Sequence, residues 1–312
     1  MKKRKVYPGE VHHVCQMTQG KVVIFYTAID YLVFYTVFCT VAKRREISVL
    51  ALSPMPDHIH HVNVVYGLKE LSAFVAEYTR IFAGLWNKAR GRKGDLFHHN
   101  FNSSVKLGNK QARTTIAYSY NNAVERKLVD LPEEYRWNLL AYVNDAHPFS
   151  APLVRSKARR SLVQALKEVD LCYNQGKYLN YRMLSRIWKR LTLGEQQQLT
   201  DYIIGLWDIV DFKETIRYYG SYEAMVRAFH DNTGSDYDIK EDRDNYTDTV
   251  YADCTAVLLK QGAVGNPMEI PTLPDERKWE LYKLLNYRTQ ARPKQLRKYL
   301  HLPLKDPSHG SA

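Results

Sequence analysis

The sequence predicts an α+β fold, an antiparallel sheet with packed helices followed by a mostly helical region. Three observations predict it. Short runs of β-branched residues alternate with three long segments of helical periodicity in the first half. Those strand runs are joined by tight turns, which demand antiparallel pairing. Beyond Pro148 and Pro152 the apolar spacing is almost entirely helical.

Taken in order, residues 12–17 and 21–26 read as strands around a Gln19-Gly20 turn. Residues 29–44 form a helix with a broad apolar face, ending in Lys43-Arg44-Arg45, cations that suit a helix C-terminus. Ile47–Leu52 reads as a strand, Ser53-Pro54-Met55-Pro56-Asp57 as a breaker, and His58–Tyr66 as another strand. Residues 68–89 are helical, with Leu71, Phe74, Val75, Tyr78, Ile81, Phe82 and Leu85 at spacings of three and four. Ser103–Leu107 is a last short strand, and 111–129 a helix. Further helices are expected at 154–172, 181–191, 194–209, 211–218, 221–230, 275–287 and 292–300. Asn232–Asp248, rich in Asp, Asn and Gly, reads as a solvated loop; its Asp-x-Asp start lacks the glycine of an EF-hand turn. The chain thus divides into residues 1–148 and a helical extension, 149–312.

Composition narrows the function classes. Of 312 residues, 45% are hydrophobic and 25% charged, the balance of a globular protein and not of a disordered one. Lys and Arg number 45 against 33 Asp and Glu, a net charge of +12. Residues 1–150 hold 20 of these cations against 12 acids, so the excess is concentrated there. A basic surface points to a polyanion, above all nucleic acid. Cys15, Cys39, Cys172 and Cys254 are scattered with no C-x-x-C pair, which argues against a zinc ribbon or disulfide scaffold and fits a reducing, cytoplasmic setting. Residues 6–19 contain no apolar core of a secretory signal. The apolar stretch Val22–Ala42 is broken by Asp30, so no membrane span is expected.

Two constellations can carry chemistry. In Met55-Pro56-Asp57-His58-Ile59-His60-His61, the side chains of His58 and His60 leave a strand on one side, and His61 on the other. Two imidazoles so placed can chelate one divalent ion, although an H-x-H pair can also arise by accident. The second is Thr114–Glu125. On a helical wheel Ile116, Tyr120, Ala123, Val124 and Leu128 share a core face, and Tyr118 lies nearly opposite with Thr114 and Asn122. Tyr118 is therefore expected on a polar face, with the Asn122 amide one turn away, and Tyr120 is expected to be a packing residue.

These motifs resemble a known family. Pro56-Asp57-His58-Ile59-His60 is similar to the histidine–hydrophobic–histidine (HUH) signature of single-tyrosine transposases, and Tyr118-Ser119-Tyr120-Asn121-Asn122-Ala123-Val124 to their tyrosine helix. Gly94-Asp95-Leu96-Phe97 with Phe101, and Tyr135-Arg136-Trp137, resemble blocks of the REP-associated tyrosine transposase branch. The likeness covers about residues 10–145. It departs at Asp57, where the family usually has Asn, at Ala123, where it has Pro, at Cys15-Gln16-Met17-Thr18, which lacks an arginine, and at His98-His99-Asn100, where basic residues are common.

The resemblance implies an RRM-like or ferredoxin-like sheet with the histidine pair on a central strand. It also implies cleavage and rejoining of single-stranded, hairpin-bearing DNA, with Tyr118 forming a 5′-phosphotyrosine and freeing a 3′-hydroxyl. His58 and His60 would hold Mg2+ or Mn2+, with the Asn122 side-chain oxygen as third ligand. Lys88, Arg90, Arg92 and Lys93, followed by Phe97 and Phe101, are candidates for binding a single strand. Arg155, Lys157, Arg159 and Arg160 open a downstream helix. Arg288, Arg292, Lys294, Arg297 and Lys298 punctuate the last helical pair, where Pro293 suits a first turn. That pair reads either as a helix-turn-helix or as a basic surface that holds hairpin ends. Two other readings stay open: a catalytically silent, domesticated protein that binds hairpin or single-stranded DNA, and an RRM-like RNA-binding protein with a fortuitous H-x-H. One such tyrosine per chain is compatible with a monomer or a homodimer.

Overall fold

The computed structural model of the protein describes residues 5–231 and 247–304. Its centre is a four-stranded antiparallel sheet of order β2-β3-β1-β4. The strands are β1 (Val11–Met17), β2 (Ser48–Met55), β3 (His58–Val64) and β4 (Asn102–Lys106). Helix α1 (Ala28–Arg44) links β1 to β2, and α2 (Leu68–Arg90) links β3 to β4. This β-α-β-β-α-β path is the ferredoxin-like arrangement, and it puts β3 and β1 in the middle of the sheet.

Local chemistry fixes these elements. The Asp30 carboxylate accepts the Tyr26 and Thr27 amides at 3.0 Å each and so closes the N-terminus of α1. Glu70 does the same at α2, accepting from Tyr66 and Gly67. Gly91, at φ +64°, ends α2 in the left-handed region that a side chain resists. The breaker expected at 53–57 is shorter than its composition suggests. Met55 pairs with His58, so the turn is only Pro56-Asp57, and Pro54 is accommodated because β2 is an edge strand.

Residues 21–26 are the expected element that does not form. They run extended and bury Val23, Ile24 and Phe25, but they do not ladder with β1. A 3-10 turn at Gln19–Lys21 carries the chain away. The Ile24 amide donates to Pro56 at the β2–β3 turn, and the Val23 amide to Lys298 near the C-terminus.

One face of the sheet, with Val14, Leu52 and Ile59, packs on α1 and α2. Helix α3 (Gly108–Glu125) covers the other face: Ala112, Ile116, Ala117 and Tyr120 meet Val11, Ala51 and Val62. The helical region wraps both sides. Helices α4 (Arg160–Asn174), α5 (Tyr181–Trp188) and α6 (Leu193–Trp207) join the apolar core of α1, and the Tyr35 hydroxyl donates to Ile204 of α6 at 2.9 Å. Helices α7 (Phe212–Arg217) and α8 (Tyr222–Asp231) pack on α3, where Phe229 stacks on Tyr120 with ring centroids 4.9 Å apart.

Helices α9 (Val250–Lys260), α10 (Asp275–Arg288) and α11 (Pro293–Leu300) share a second apolar cluster that includes Val23. Helix α9 is additional to those expected. Most of the Asn232–Asp248 segment read as a loop lies outside the described residues; Asp248 itself is buried. Among the described residues no helix is long and apolar enough to cross a membrane.

Candidate active site

Strand alternation decides where the histidines point. Cys15 faces His60 and Met17 faces His58 across β1 and β3, so the side chains of His13, Cys15, His58 and His60 all leave the sheet toward α3. His61 leaves on the other side, as its place in the alternation requires. Its Nε2 meets the Tyr78 hydroxyl at 3.0 Å and its Nδ1 meets Asn63 at 2.6 Å. Burial drives its pKa down to about 3, against the opposing Asn63 hydrogen bond, so it is a neutral core residue.

His58 and His60 come together with ring centroids 4.7 Å apart and planes at 85°. Each ring has its Nδ1 engaged from behind. His58 Nδ1 lies 2.5 Å from Asp57 Oδ1, and His60 Nδ1 lies 2.9 Å from His13 Nε2. Metal ligation by either ring would therefore use Nε2, and both Nε2 atoms are buried. Ligating histidines are commonly oriented in this way by a partner on the second nitrogen.

Tyr118 approaches the same cluster from α3. Its ring stands edge-on to His60 at 5.7 Å and to His13 at 5.9 Å. Sequence periodicity puts Tyr118 on a polar face; in the structure that face is covered, and Tyr118 is 2% exposed. Helix α3 lies between the sheet and the wrapped-on helical region, so its polar stripe turns inward onto the histidine-lined part of the sheet. Tyr120 is the packing residue its wheel position indicates, donating to the Leu50 carbonyl at 3.2 Å. Asn122 is buried one turn beyond Tyr118, and its Nδ2 donates to the Tyr118 carbonyl at 3.2 Å, which leaves Oδ1 as the atom suited to a cation.

Among the described residues no group of three or more His, Cys, Asp or Glu forms a metal-binding cluster. A site here would rest on His58, His60 and the Asn122 amide oxygen, two imidazoles and one hard oxygen donor. That set suits Mn2+, and suits Mg2+ less well.

The β2–β3 turn beside His58 is heavily tied. Thr18 Oγ1 donates to the Asp57 carbonyl at 2.9 Å, and Lys298 of α11 reaches Asp57 Oδ2 at 2.8 Å. Burial by itself would raise the Asp57 carboxyl; His58, Lys298 and Arg126 outweigh it and hold the group well below the usual carboxylate range. The same turn region takes in Asp248, whose pKa is pushed up to about 6 by burial and by the nearby Asp57 charge, against Arg126 and Lys298.

The expected basic run divides. Lys88 and Lys93 are exposed. Arg92 is half-buried and donates to the Gly94 and Asp95 carbonyls. Arg90 is not a surface cation: it pairs with Asp30 at 2.5 Å, both side chains fully buried, and lies over Trp86. Phe97 and Phe101 are core residues and not exposed stacking faces. Residues 94–98 run beside the His58 end of β1, with His98 donating to Met17 and Gln19 to Leu96. Lys93, His98 and His99 are thus exposed at that end of the sheet.

Sequence reasoning misses His13 as a member of this cluster, and it counts Lys298 among the cations of the last helical pair, whereas the structure buries Lys298 against Asp57. His13 carries a signal, a histidine two positions from Cys15 on the first strand, but its partner strand is invisible without the register. Lys298 lies 241 positions from Asp57, and nothing local marks it.

No protein-family model matches the chain, and no curated protein does. Among solved structures the chain is similar to a REP-associated tyrosine transposase bound to a REP hairpin, at 18% identity and a TM-score of 0.40, over 46% of this chain and 84% of that one.

Proposed function

We propose that the protein is a metal-dependent transposase or single-strand endonuclease that cuts and rejoins DNA through Tyr118. The observation that carries this is the meeting of His58, His60 and Tyr118. The first two lie on β3 and the third on α3, some sixty positions later, yet the phenol ring lies 5.7 Å from His60. The motif resemblance supports the same reading.

In this reading Tyr118 Oη forms a bond to phosphorus and the 3′-oxygen leaves, giving a 5′-phosphotyrosine and a free 3′-hydroxyl. The bond energy is kept in the ester, so rejoining by a 3′-hydroxyl needs no ATP. A free phenol has a pKa of about 10 and is a weak nucleophile at neutral pH. Mn2+ or Mg2+ bound by His58, His60 and Asn122 would neutralise charge on the phosphoryl oxygens. Asn122 also holds the Tyr118 turn of the helix through its backbone. Lys88 and Lys93, with His98 and His99, offer cationic and polar contacts for a strand entering at the His58 end of the sheet.

A second reading has one observation in its favour. Tyr118, His58 and His60 are each 2% exposed or less, so a strand reaches them only if a covering element moves. A catalytically silent protein that binds hairpin or single-stranded DNA needs no such movement.

One experiment separates the two. Incubated with Mn2+ and a hairpin-bearing single-stranded oligonucleotide, the protein forms a covalent adduct that survives denaturing electrophoresis. Tyr118→Phe loses the adduct and keeps binding within a few-fold, and Tyr120→Phe keeps both. DNA binding without any adduct selects the silent reading; an adduct formed by Tyr118→Phe overturns the assignment of the nucleophile.

A further inference from the structure

Buried lysines are rare in folded proteins, and Lys298 is a deeply buried one at the far end of the chain. Its ammonium contacts Asp57 Oδ2 at 2.8 Å, and Asp57 Oδ1 in turn contacts His58 Nδ1 at 2.5 Å. We propose that α11 is a working part of the histidine site: Lys298 anchors the Asp57 carboxylate, and Asp57 fixes the His58 ring with Nε2 turned toward the ion. This rests on His58 being a metal ligand, as proposed above.

The geometry supports a positioning role in three ways. First, Asp57 is held at its carbonyl and at both carboxylate oxygens. Thr18 grips its carbonyl through both Oγ1 and the amide N–H, at 2.9 and 3.4 Å, while its two carboxylate oxygens go to His58 and Lys298. Second, α11 is itself pinned to the segment beside this turn. Val23 donates to the Lys298 carbonyl at 3.1 Å, the Tyr26 hydroxyl to the Tyr299 carbonyl at 2.6 Å, and His301 Nε2 to the Val23 carbonyl at 2.7 Å. Third, a carboxylate only accepts, so His58 Nδ1 must be the donor and Nε2 of the neutral ring must carry the lone pair. An amide at position 57 can rotate and offer its NH2 instead; the lysine, a donor at Oδ2, fixes the orientation of the group there.

A stability role alone does not account for the arrangement, because well-packed apolar residues of like volume generally do as well as a buried ion pair. The pair is aimed at one histidine of the two. His60 is held independently, by His13. That asymmetry makes the proposal testable.

The test compares wild type with Lys298→Met and Asp57→Asn in the full chain. Mn2+ affinity is measured by calorimetry, and the tautomers of His58 and His60 by nitrogen-15 NMR of the metal-free protein. Both variants should weaken Mn2+ binding by about tenfold, the usual scale for losing the partner behind a ligating histidine. In Lys298→Met the His58 ring signals should leave the pure Nδ1–H pattern while those of His60 stay in place. General loosening would move both rings alike, and that result, or unchanged His58 signals and affinity in a folded variant, overturns the proposal. If Lys298→Met does not fold, Asp57→Asn decides by the same affinity. If wild type binds no Mn2+, the metal reading of the site fails, while the comparison of the two rings still decides whether Lys298 controls His58.

Discussion

Arg90 is where one residue changes role between sequence and structure. It stands second in a run of surface-looking cations, but its guanidinium lies between the Asp30 carboxylate and the rings of Trp86 and Tyr181. Burial opposes its charge; Asp30 and Tyr181 outweigh that and raise its pKa. Asp30 meanwhile caps α1 and accepts the Tyr181 hydroxyl at 2.8 Å, so one carboxylate ties α1, α2 and α5 together. Removing the cation strands that anion in the core. Arg90→Ala should therefore cost about 3–5 kcal/mol in urea unfolding, the usual scale for breaking a buried pair on one side. DNA affinity of the folded fraction should stay unchanged, whereas Lys93→Ala should weaken binding and reduce its salt dependence without a stability cost. An Arg90→Ala protein of normal stability with weakened DNA binding would return Arg90 to the binding surface. Arg90 is the last residue of α2 and shares the face of Trp86 and Phe82, a pattern visible in the sequence once the charge is disregarded, whereas Lys93 lies past the end of the helix.

At the scale of elements, α2 offers a clean pair of opposite effects. Gly91 sits at φ +64° just past its end, and an added Cβ there would meet no atom within 4 Å. Only backbone strain acts, so Gly91→Ala should destabilise by about 1–2 kcal/mol. Gly84 lies inside the same helix on an exposed turn, again with open space around a Cβ, and Gly84→Ala should stabilise by about 0.5–1 kcal/mol. Melting temperatures of the two variants check both signs. The same helix was legible in the sequence almost residue for residue, because its apolar spacing and its end signals agree. So were β3 and the opposite facings of His60 and His61, since alternation is a local property. Residues 21–26 were not. Their β-branched composition suits a strand, but whether an extended segment ladders depends on distant partners, here Pro56 and Lys298. Helix α3 was legible as a helix with an apolar and a polar face, but what the polar face meets was not. A polar stripe normally marks solvent, and here it marks a second buried surface lined with histidines.

At the scale of the whole molecule, two neutral histidines sit in different parts of the fold and make its stability sensitive to acid. His61 lies between the sheet and α1 and α2; His301 follows α11, stacked on Trp86 with ring centroids 5.9 Å apart. Burial lowers the pKa of each from 6.5 to about 3. Above pH 6.5 both rings are neutral whether the chain is folded or not, and their contribution to stability is complete. Below it the unfolded chain takes up two protons that the folded chain refuses until about pH 3. Stability then falls by about 1.4 kcal/mol per pH unit for each ring. Asp248 acts the other way. With its carboxyl raised to about 6, the folded state accepts a proton before the unfolded state does, so between pH 6 and 4 it cancels roughly one histidine. For these three groups together the net fall between pH 6 and 4 is that of about one histidine, about 1.4 kcal/mol per pH unit. His301→Phe should leave Asp248 to offset the remaining histidine, making stability nearly flat between pH 6 and 4. Urea unfolding midpoints at pH 7, 6, 5 and 4 measure this directly. If the His301→Phe profile keeps the full wild-type slope, His301 is protonated in the folded chain and the acid sensitivity lies elsewhere. Because His301 joins α11 to Val23 and Trp86, a loss of slope would also show that its ring stays buried against them in the folded chain between pH 6 and 4.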